Sequence, residues 1–586
     1  MSTAATPAST ASTKGPDSAL ATAFDYIIIG AGSAGCAVAS RLAEDASVTV
    51  ALLEAGPHDH HFSVWTPIGL AGTVPKAGPR NYAYYTEPQA GFNGRRSYQP
   101  RGRGLGGSSS INGMVYIRGH RTDYDEWVSL GCPGWSFDDV LPYFRRSEQN
   151  QRNSGREDNV WHGGSGPLHV SDLRTPNPFS ERFVQAAMQA GLPLNHDFNG
   201  EEQEGAGLYQ VTQHNGERWN AARAYLHRGN ANDLAHNGGR KGLTVLTDTQ
   251  ALRLTFEGKR ATGVDVMRSG VAQTLRARRE VIVSGGAFNS PQLLMASGIG
   301  PAAHLREHGI AVVHDLPGVG ENLQDHLDII VNKQVPSLDL YGYSARGALR
   351  LVGEILRYRR ERTGMVASNF AEAGAFVKSR PNLATPDVQL AFILAMLGNR
   401  NMAQRRKLGH GYSCHAYILR PQSRGHVRLR SPDMRDAPLI DPRFLSAEAD
   451  MDALVAGVRI VRRIFAQPAL AEAGGKELLT DEFGPDSSNE DAIRAYIRAH
   501  ADSVYHPVGT CKMGTDAMAV VDPNLRVHGV DGLRVVDASI MPTLVGGNTN
   551  APAIMIGEKA ADLIRATRCS PGVAASEPRY TASAEN

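Results

Sequence analysis

From Asp25 the chain turns apolar in DYIIIG, breaks at AGSAG, resumes with apolar residues at helical spacing in CAVASRLAED, and turns apolar again in SVTVALLEAG. A short β-branched run, a glycine turn, a helical period and a second apolar run predict a strand–turn–helix–strand unit. Further along, EVIVSG reads as another buried strand that leads through GGAFNSPQLLMASGIG, Gly285 to Gly300, into a helix. HVRLRS, from His426, has the pattern of a strand, and MDALVAGVRIVRRIFAQ, from Met451, that of a helix. GLRVVDASIMP, Gly532 to Pro542, is a glycine, a buried strand and an aspartate. ALRLVGEILRYRRER, Ala348 to Arg362, interleaves aliphatic residues with arginines. It is expected as a solvated surface helix or an oligomer contact, with peripheral contact to an anionic membrane as the alternative. No repeat of fixed period appears, and no apolar run reaches the roughly 18 residues that a membrane span needs.

The first turn carries specific chemistry. Gly30, Gly32 and Gly35 make G-x-G-x-x-G, in which the first glycine allows the tight turn, the second lets backbone approach a pyrophosphate and the third lets helix pack on strand. The helix then points its unpaired N–H groups at the phosphates. Glu54 ends the second strand where an acid meets the adenosine ribose hydroxyls. This motif predicts a dinucleotide without choosing between NAD and FAD. RGRGLGGSSSINGMVYIRGHRTDYDEW, Arg101 to Trp127, is so poor in bulky side chains that its backbone is expected to lie against something flat or anionic.

Bulk composition narrows the class. The 586 residues exceed a single core, and 41% hydrophobic content can fill two. Lys+Arg 61 against Asp+Glu 59 gives no field that would draw nucleic acid or another polyanion. Five scattered cysteines without a C-x-x-C pair argue against a disulfide framework or zinc ribbon and for a reducing compartment. The Ser/Thr/Ala-rich N-terminus lacks a signal-peptide core, so a cytoplasmic location is expected, possible contact with the inner face of the membrane aside. No G-x-S-x-G nucleophile or P-loop is present.

VYHPVGTCKMG, Val504 to Gly514, leaves three readings for His506: a metal ligand beside Cys511 and Met513, a proton-transfer base, or a turn residue held by Pro507. No second Cys/His pair stands at ligand spacing, so no metal is expected there. The cluster HDHH, His58 to His61, is more suggestive, yet it follows Gly56 in a loop and is expected to be exposed.

The segments Gly102–Asp125 and Gly286–Gly300 resemble, position by position, the two signature patterns of the glucose-methanol-choline (GMC) oxidoreductases, and the resemblance runs from about Phe24 to Arg565. It implies an α/β chain (α+β overall): a Rossmann-like FAD-binding domain plus a substrate domain with a mostly antiparallel sheet and helices. The implied division is 23–316 for FAD with loops reaching the substrate side, 317–514 for substrate, and 515–568 returning to FAD, between disordered tails at 1–22 and 569–586. It implies flavin contacts from Arg103, Gly106, Gly107, Ser108, Asn112, Gly113, Asp537, Ala538, Asn548 and Pro552. It also implies alcohol oxidation with His506 as base and Asn550 as its partner.

Ile111 stands where some members carry a flavin-linking histidine, so non-covalent FAD is expected. Val508-Gly509 after His-Pro departs from the Ser-Cys of choline dehydrogenases and favours a neutral primary alcohol: aliphatic, polyether or aromatic. An oxidase, a choline dehydrogenase or a hydroxynitrile lyase are the alternatives. The electron acceptor is left open among quinone, cytochrome and O2. Trp65, Phe370, His415 and Tyr505 are the candidate pocket-lining residues.

Overall fold

The computed structural model describes residues 22–153, 159–227, 235–397, 409–478 and 489–569; the terminal tails expected from the sequence lie almost wholly outside them. β1 (Ala23–Ile29), α1 (Ser33–Leu42) and β2 (Val50–Leu53) form as the pattern predicts. Their strands are buried nearly throughout, which is why they read as continuous apolar runs instead of alternating ones. A long excursion follows, in which β3 (Gly205–Leu208) joins a different sheet and α2 (Pro178–Gln189) packs against it. β4 (Leu243–Leu246) then returns parallel to β2. β5 (Thr249–Glu257), β6 (Arg260–Arg268) and β7 (Val271–Val283) form an antiparallel meander whose last strand runs parallel to β1. The order is β4-β2-β1-β7-β6-β5.

α3 (Gly286–Ala296) leaves the end of β7. The second sheet is built from β8 (Leu327–Gln334), β9 (Ala371–Val377), β10 (Val388–Ile393) and β11 (Gly411–Ile418), with β12 (Lys476–Glu477) and β3 at its edges. Its order is β12-β8-β11-β10-β9-β3, all antiparallel, and the short β13 (Asp502–Ser503) adds to β8. Period-two alternation divides its faces. Leu327, Ile329, Val331, Leu390, Phe392, Cys414, Ala416 and Ile418 pack in one core with Met451, Leu454, Val458 and Ile464 from a long helix, Glu448–Phe465. Asp328, Ile330, Gln389, Ala391, Ile393, His415 and Tyr417 face a cavity on the other side. The chain closes with β14 (Leu533–Val535), parallel on β7, and a last helix, Asn550–Cys569, packed along α1.

Two expected boundaries move. Residues of α2 and β3, placed by the sequence in the FAD segment, belong to the second core, where Phe179, Phe183 and Ala206 are buried. GAGL has no side-chain alternation to advertise a strand. Conversely, Val508, Cys511 and Met513 already lie in the first core, so the return to it begins just after His506 and not at 515. The basic helix forms as Ala345–Glu361, with Tyr358 buried and Leu349, Val352, Ile355 and Leu356 exposed. No helix among the described residues is long and apolar enough to cross a membrane.

Candidate active site

Between the two sheets lies a cavity of about 1380 Å³, lined from Gly30, Gly32 and Ser33 at one end to His506 and the second sheet at the other. Drug-sized sites occupy about 300–1,000 Å³, so this one has room for a dinucleotide and a substrate together. The three glycines divide their work. A Cβ on Gly30 would stand 2.3 Å from the Ser284 carbonyl oxygen, and one on Gly35 1.9 Å from that of Gly30. Those two are packing requirements. Gly32 has nothing within 4 Å of where its Cβ would be, as expected of a residue that faces a ligand.

The Glu54 carboxylate accepts from the backbone N–H groups of Ala31 at 3.1 Å, Gly56 at 2.9 Å and Gly104 at 2.8 Å, tying the turn to the glycine-rich loop. Burial raises its pKa against those donors. Gly106 donates to the Ala31 carbonyl at 2.8 Å and so pins the same loop without lining the cavity, which Gly107, Ser108, Asn112 and Gly113 do. Asp537 accepts from Gly286 N at 2.8 Å, Ser290 Oγ at 2.6 Å and Ser539 N at 2.8 Å, which presents Ala538 at the cavity wall. An extended FAD fits these residues: open space at Gly32 and Gly113, the uncapped N-terminus of α1, and an acid at the end of β2.

Two expected contacts sit behind this wall. The Arg103 guanidinium bonds the Ala55 and Pro79 carbonyls and covers Tyr82, and Arg101 lines the cavity in its place. Pro552 lies in the first turn of the last helix, where its missing N–H costs nothing, while Ala553 is the lining residue.

At the far end the His506 backbone is clamped. Its N–H donates to Asp325 Oδ1 at 2.8 Å, and the preceding carbonyl, of Tyr505, accepts from Arg101. Tyr505 holds a left-handed φ of 72° between those two contacts, a strained conformation that the clamp maintains. Burial pushes the Asp325 carboxyl up to about 6, against hydrogen bonds from Ser503 and Gln99 and the charge of Arg101.

The ring tautomer follows from its neighbours. His326 Nε2 is 3.2 Å from the Leu419 carbonyl, which can only accept, so the His326 proton sits on Nε2. Burial holds the His326 pKa down to about 3, leaving it neutral with a bare Nδ1. His506 Nδ1 lies 2.9 Å from that atom and must donate to it. Burial, then His326 and Arg101, hold the His506 pKa well below the usual imidazole range, so its Nε2 is unprotonated and can accept.

Asn548 Nδ2 stands 3.2 Å from that Nε2. The sequence reading paired His506 with Asn550, but Asn550 opens the last helix along α1 and its Oδ1 accepts from Ser33 Oγ at 2.7 Å. Asn548, two residues earlier, is still in the loop that crosses the cavity. The sequence reading missed His326 altogether; DH ahead of an alternating strand was its only trace.

Phe370, His415 and Tyr505 line the cavity. His415 Nδ1 is 2.5 Å from Asp328 Oδ2, and burial raises the Asp328 pKa against that contact. His415 Nε2, Gln389 Oε1 and Asn369 Oδ1 are buried with no hydrogen-bond partner among the described residues, on residues that line the cavity. Trp65 is not there. The helical turn Phe62–Trp65, capped by His61, directs the indole onto His60, at 5.1 Å between ring centres, and under Arg223. HDHH is not uniformly exposed either: Asp59 is buried and His60 half-buried.

The N-terminal and C-terminal models described as GMC oxidoreductase match residues 24–328 and 421–557. The chain is 46% identical over 547 residues to the alcohol dehydrogenase [acceptor] of Pseudomonas putida, covering 92% of this chain and 95% of that one. It is 44% identical to the mitochondrial choline dehydrogenase of Mus musculus, covering 92% and 89%. The solved structure of pyridoxine 4-oxidase from Mesorbium loti superposes with a TM-score of 0.80 at 30% identity, covering 93% of this chain and 99% of that one.

Proposed function

Because the chain belongs to the GMC oxidoreductase family, whose members bind FAD and act on alcohols, we propose that it oxidises a neutral primary alcohol to the aldehyde with His506 as the base. The observation that carries this reading is the unprotonated Nε2 of His506, held in that tautomer through His326 and the Leu419 carbonyl and facing Asn548 Nδ2. Bound in the cavity, FAD supplies the acceptor for the hydride that leaves the alcohol carbon. An alcohol oxygen set against His506 Nε2 and Asn548 Nδ2 gives its proton to the first and accepts a hydrogen bond from the second as negative charge grows. Asp325 and Arg101 keep the ring aimed by holding the peptide on either side. Ile111 lines the cavity without a nucleophilic side chain, which supports non-covalent FAD.

Choline is the second reading, supported by the 44% identity to choline dehydrogenases. A trimethylammonium group wants a bare carboxylate or an aromatic cage. Asp328, on the substrate-side wall, has Oδ2 covered by His415 and Oδ1 without a hydrogen-bond partner among the described residues, and burial raises its pKa, so that wall offers hydrogen bonds more readily than a full negative charge. Anaerobic mixing with aliphatic, polyether and benzylic alcohols and with choline tests the choice. Flavin bleaching by neutral primary alcohols at lower concentration than by choline supports the proposal, and preference for choline overturns it. Admitting air afterwards separates an oxidase, which regains colour with peroxide, from a dehydrogenase that needs another acceptor.

A further inference from the structure

Away from this cavity, Asp59, His60, His227 and His236 offer one ligating atom each, all within 4.8 Å of one another. None of the four lines the flavin and alcohol cavity. The loop after β2 contributes the first two residues. The stretch that follows the π-helical turn Ala222–Leu226 contributes the others. Asp59 and His227 are each 1% exposed, and the ring centres of His60, His227 and His236 lie 4.7 to 5.1 Å apart.

We propose that His60, His227 and His236, with Asp59 behind His227, form a binding site for a divalent transition-metal cation of the zinc class. The nitrogens of His227 face two ways. Nε2 lies 2.7 Å from Asp59 Oδ1, and Nδ1 lies 3.5 Å from His236 Nδ1. A carboxylate accepts, so the His227 proton belongs on Nε2 and Nδ1 keeps a lone pair toward His236. A histidine whose outer N–H is held by a carboxylate is the usual arrangement for a metal ligand. Two nitrogens 3.5 Å apart nearly match the ligand spacing on a tetrahedral ion with bonds of about 2.0–2.1 Å. His60 Nε2 supplies the third nitrogen: it is shielded from solvent and has no hydrogen-bond partner among the described residues.

The second shell is also built. Asp59 Oδ2 accepts from Asn220 Nδ2 at 3.1 Å, and the same amide donates to Ser110 Oγ at 2.8 Å in the glycine-rich loop. Two cations lie nearby: Arg223 is engaged by Glu217 at 3.0 Å, and Arg80, whose charge reaches Asp59, donates to the His58 carbonyl at 3.3 Å. Three imidazoles with a carboxylate select Zn(II), Co(II), Ni(II) or Cu(II) over Mg(II) and Ca(II), which prefer oxygen. A cation here cross-links the loop after β2 to the segment around His227.

The FAD-loaded protein, treated with EDTA and freed of it, is titrated with zinc sulfate by calorimetry, and its melting midpoint is followed alongside. The proposal expects one zinc per chain with submicromolar affinity and a rise in midpoint. His60→Ala and His236→Ala should each lower that affinity about 100-fold or more, and Asp59→Asn about 10–100-fold. FAD content and the rate of flavin bleaching by alcohol should stay at the wild-type level in His236→Ala, which also reports that the variant is folded. No stoichiometric zinc uptake by the wild type, or uptake undiminished in both histidine variants, overturns the site.

Discussion

The parallel sheet presents backbone to the cavity: the turn after β1, the start of α1 and the loop after β7, with Gly32 and Gly286 open where a side chain would be. The antiparallel sheet presents side chains, with Asp328, His415, Tyr417 and Gln389 standing on one pleated face of β8, β11 and β10. The first region binds by shape and N–H groups, which any sequence with the right glycines can supply. The second discriminates by chemistry at single positions. On the proposed reading, cofactor and substrate specificity reside in different parts of the fold, and substitutions in each should fail differently.

The largest contrast is expected within the glycine turn itself. Gly35→Ala drives a Cβ to 1.9 Å from the Gly30 carbonyl and should leave no FAD-loaded, folded protein; Gly32→Ala, with open space, should fold yet retain less FAD. FAD-to-protein ratio after gel filtration, with a melting curve, reads both. Next comes the asparagine pair. Asn548→Ala should slow flavin reduction about 10²–10³-fold with FAD retained, whereas Asn550→Ala, at Ser33, should weaken FAD binding and change the reduction rate of loaded enzyme little. Equal effects on the reduction rate would erase the distinction between the two.

On the antiparallel face, His415→Ala removes one polar contact and should raise KM about 3–10-fold for substrates with a second polar group, leaving kcat nearly unchanged. The smallest effect is in pH dependence. His506 acts in its neutral form, and its pKa lies well below the usual value of about 6.5, so reduction rates should stay level from pH 8 to 6.5 and fall only further down. Below about pH 6.5 the unfolded chain binds protons that the buried His326 and His506 refuse, so stability should also decline there.

Legibility followed the same division. Gly30, Gly32, Gly35 and Glu54 were readable because a phosphate-binding turn needs fixed spacing on contiguous chain. The substrate sheet was visible only in outline, since β3 is a glycine-containing edge strand from a distant segment. His506 was identified through a resemblance, and its supports His326, Asp325 and Arg101 converge from positions 180, 181 and some 400 residues away. Such convergence leaves no local period. The exchange of Asn548 and Asn550 turned on where the last helix begins, a boundary that residue pattern alone fixes to within a turn. The exposure expected of HDHH fails at Asp59 and His60 because the residues that pack on them, His227 and His236, lie far along the chain.

The most direct measurement is the anaerobic stopped-flow rate of flavin reduction by alcohol in His506→Ala, with FAD content determined on the same sample. The account predicts a fall of about 10²–10⁴-fold at unchanged FAD content. Reduction at the wild-type rate in the FAD-loaded variant would contradict it.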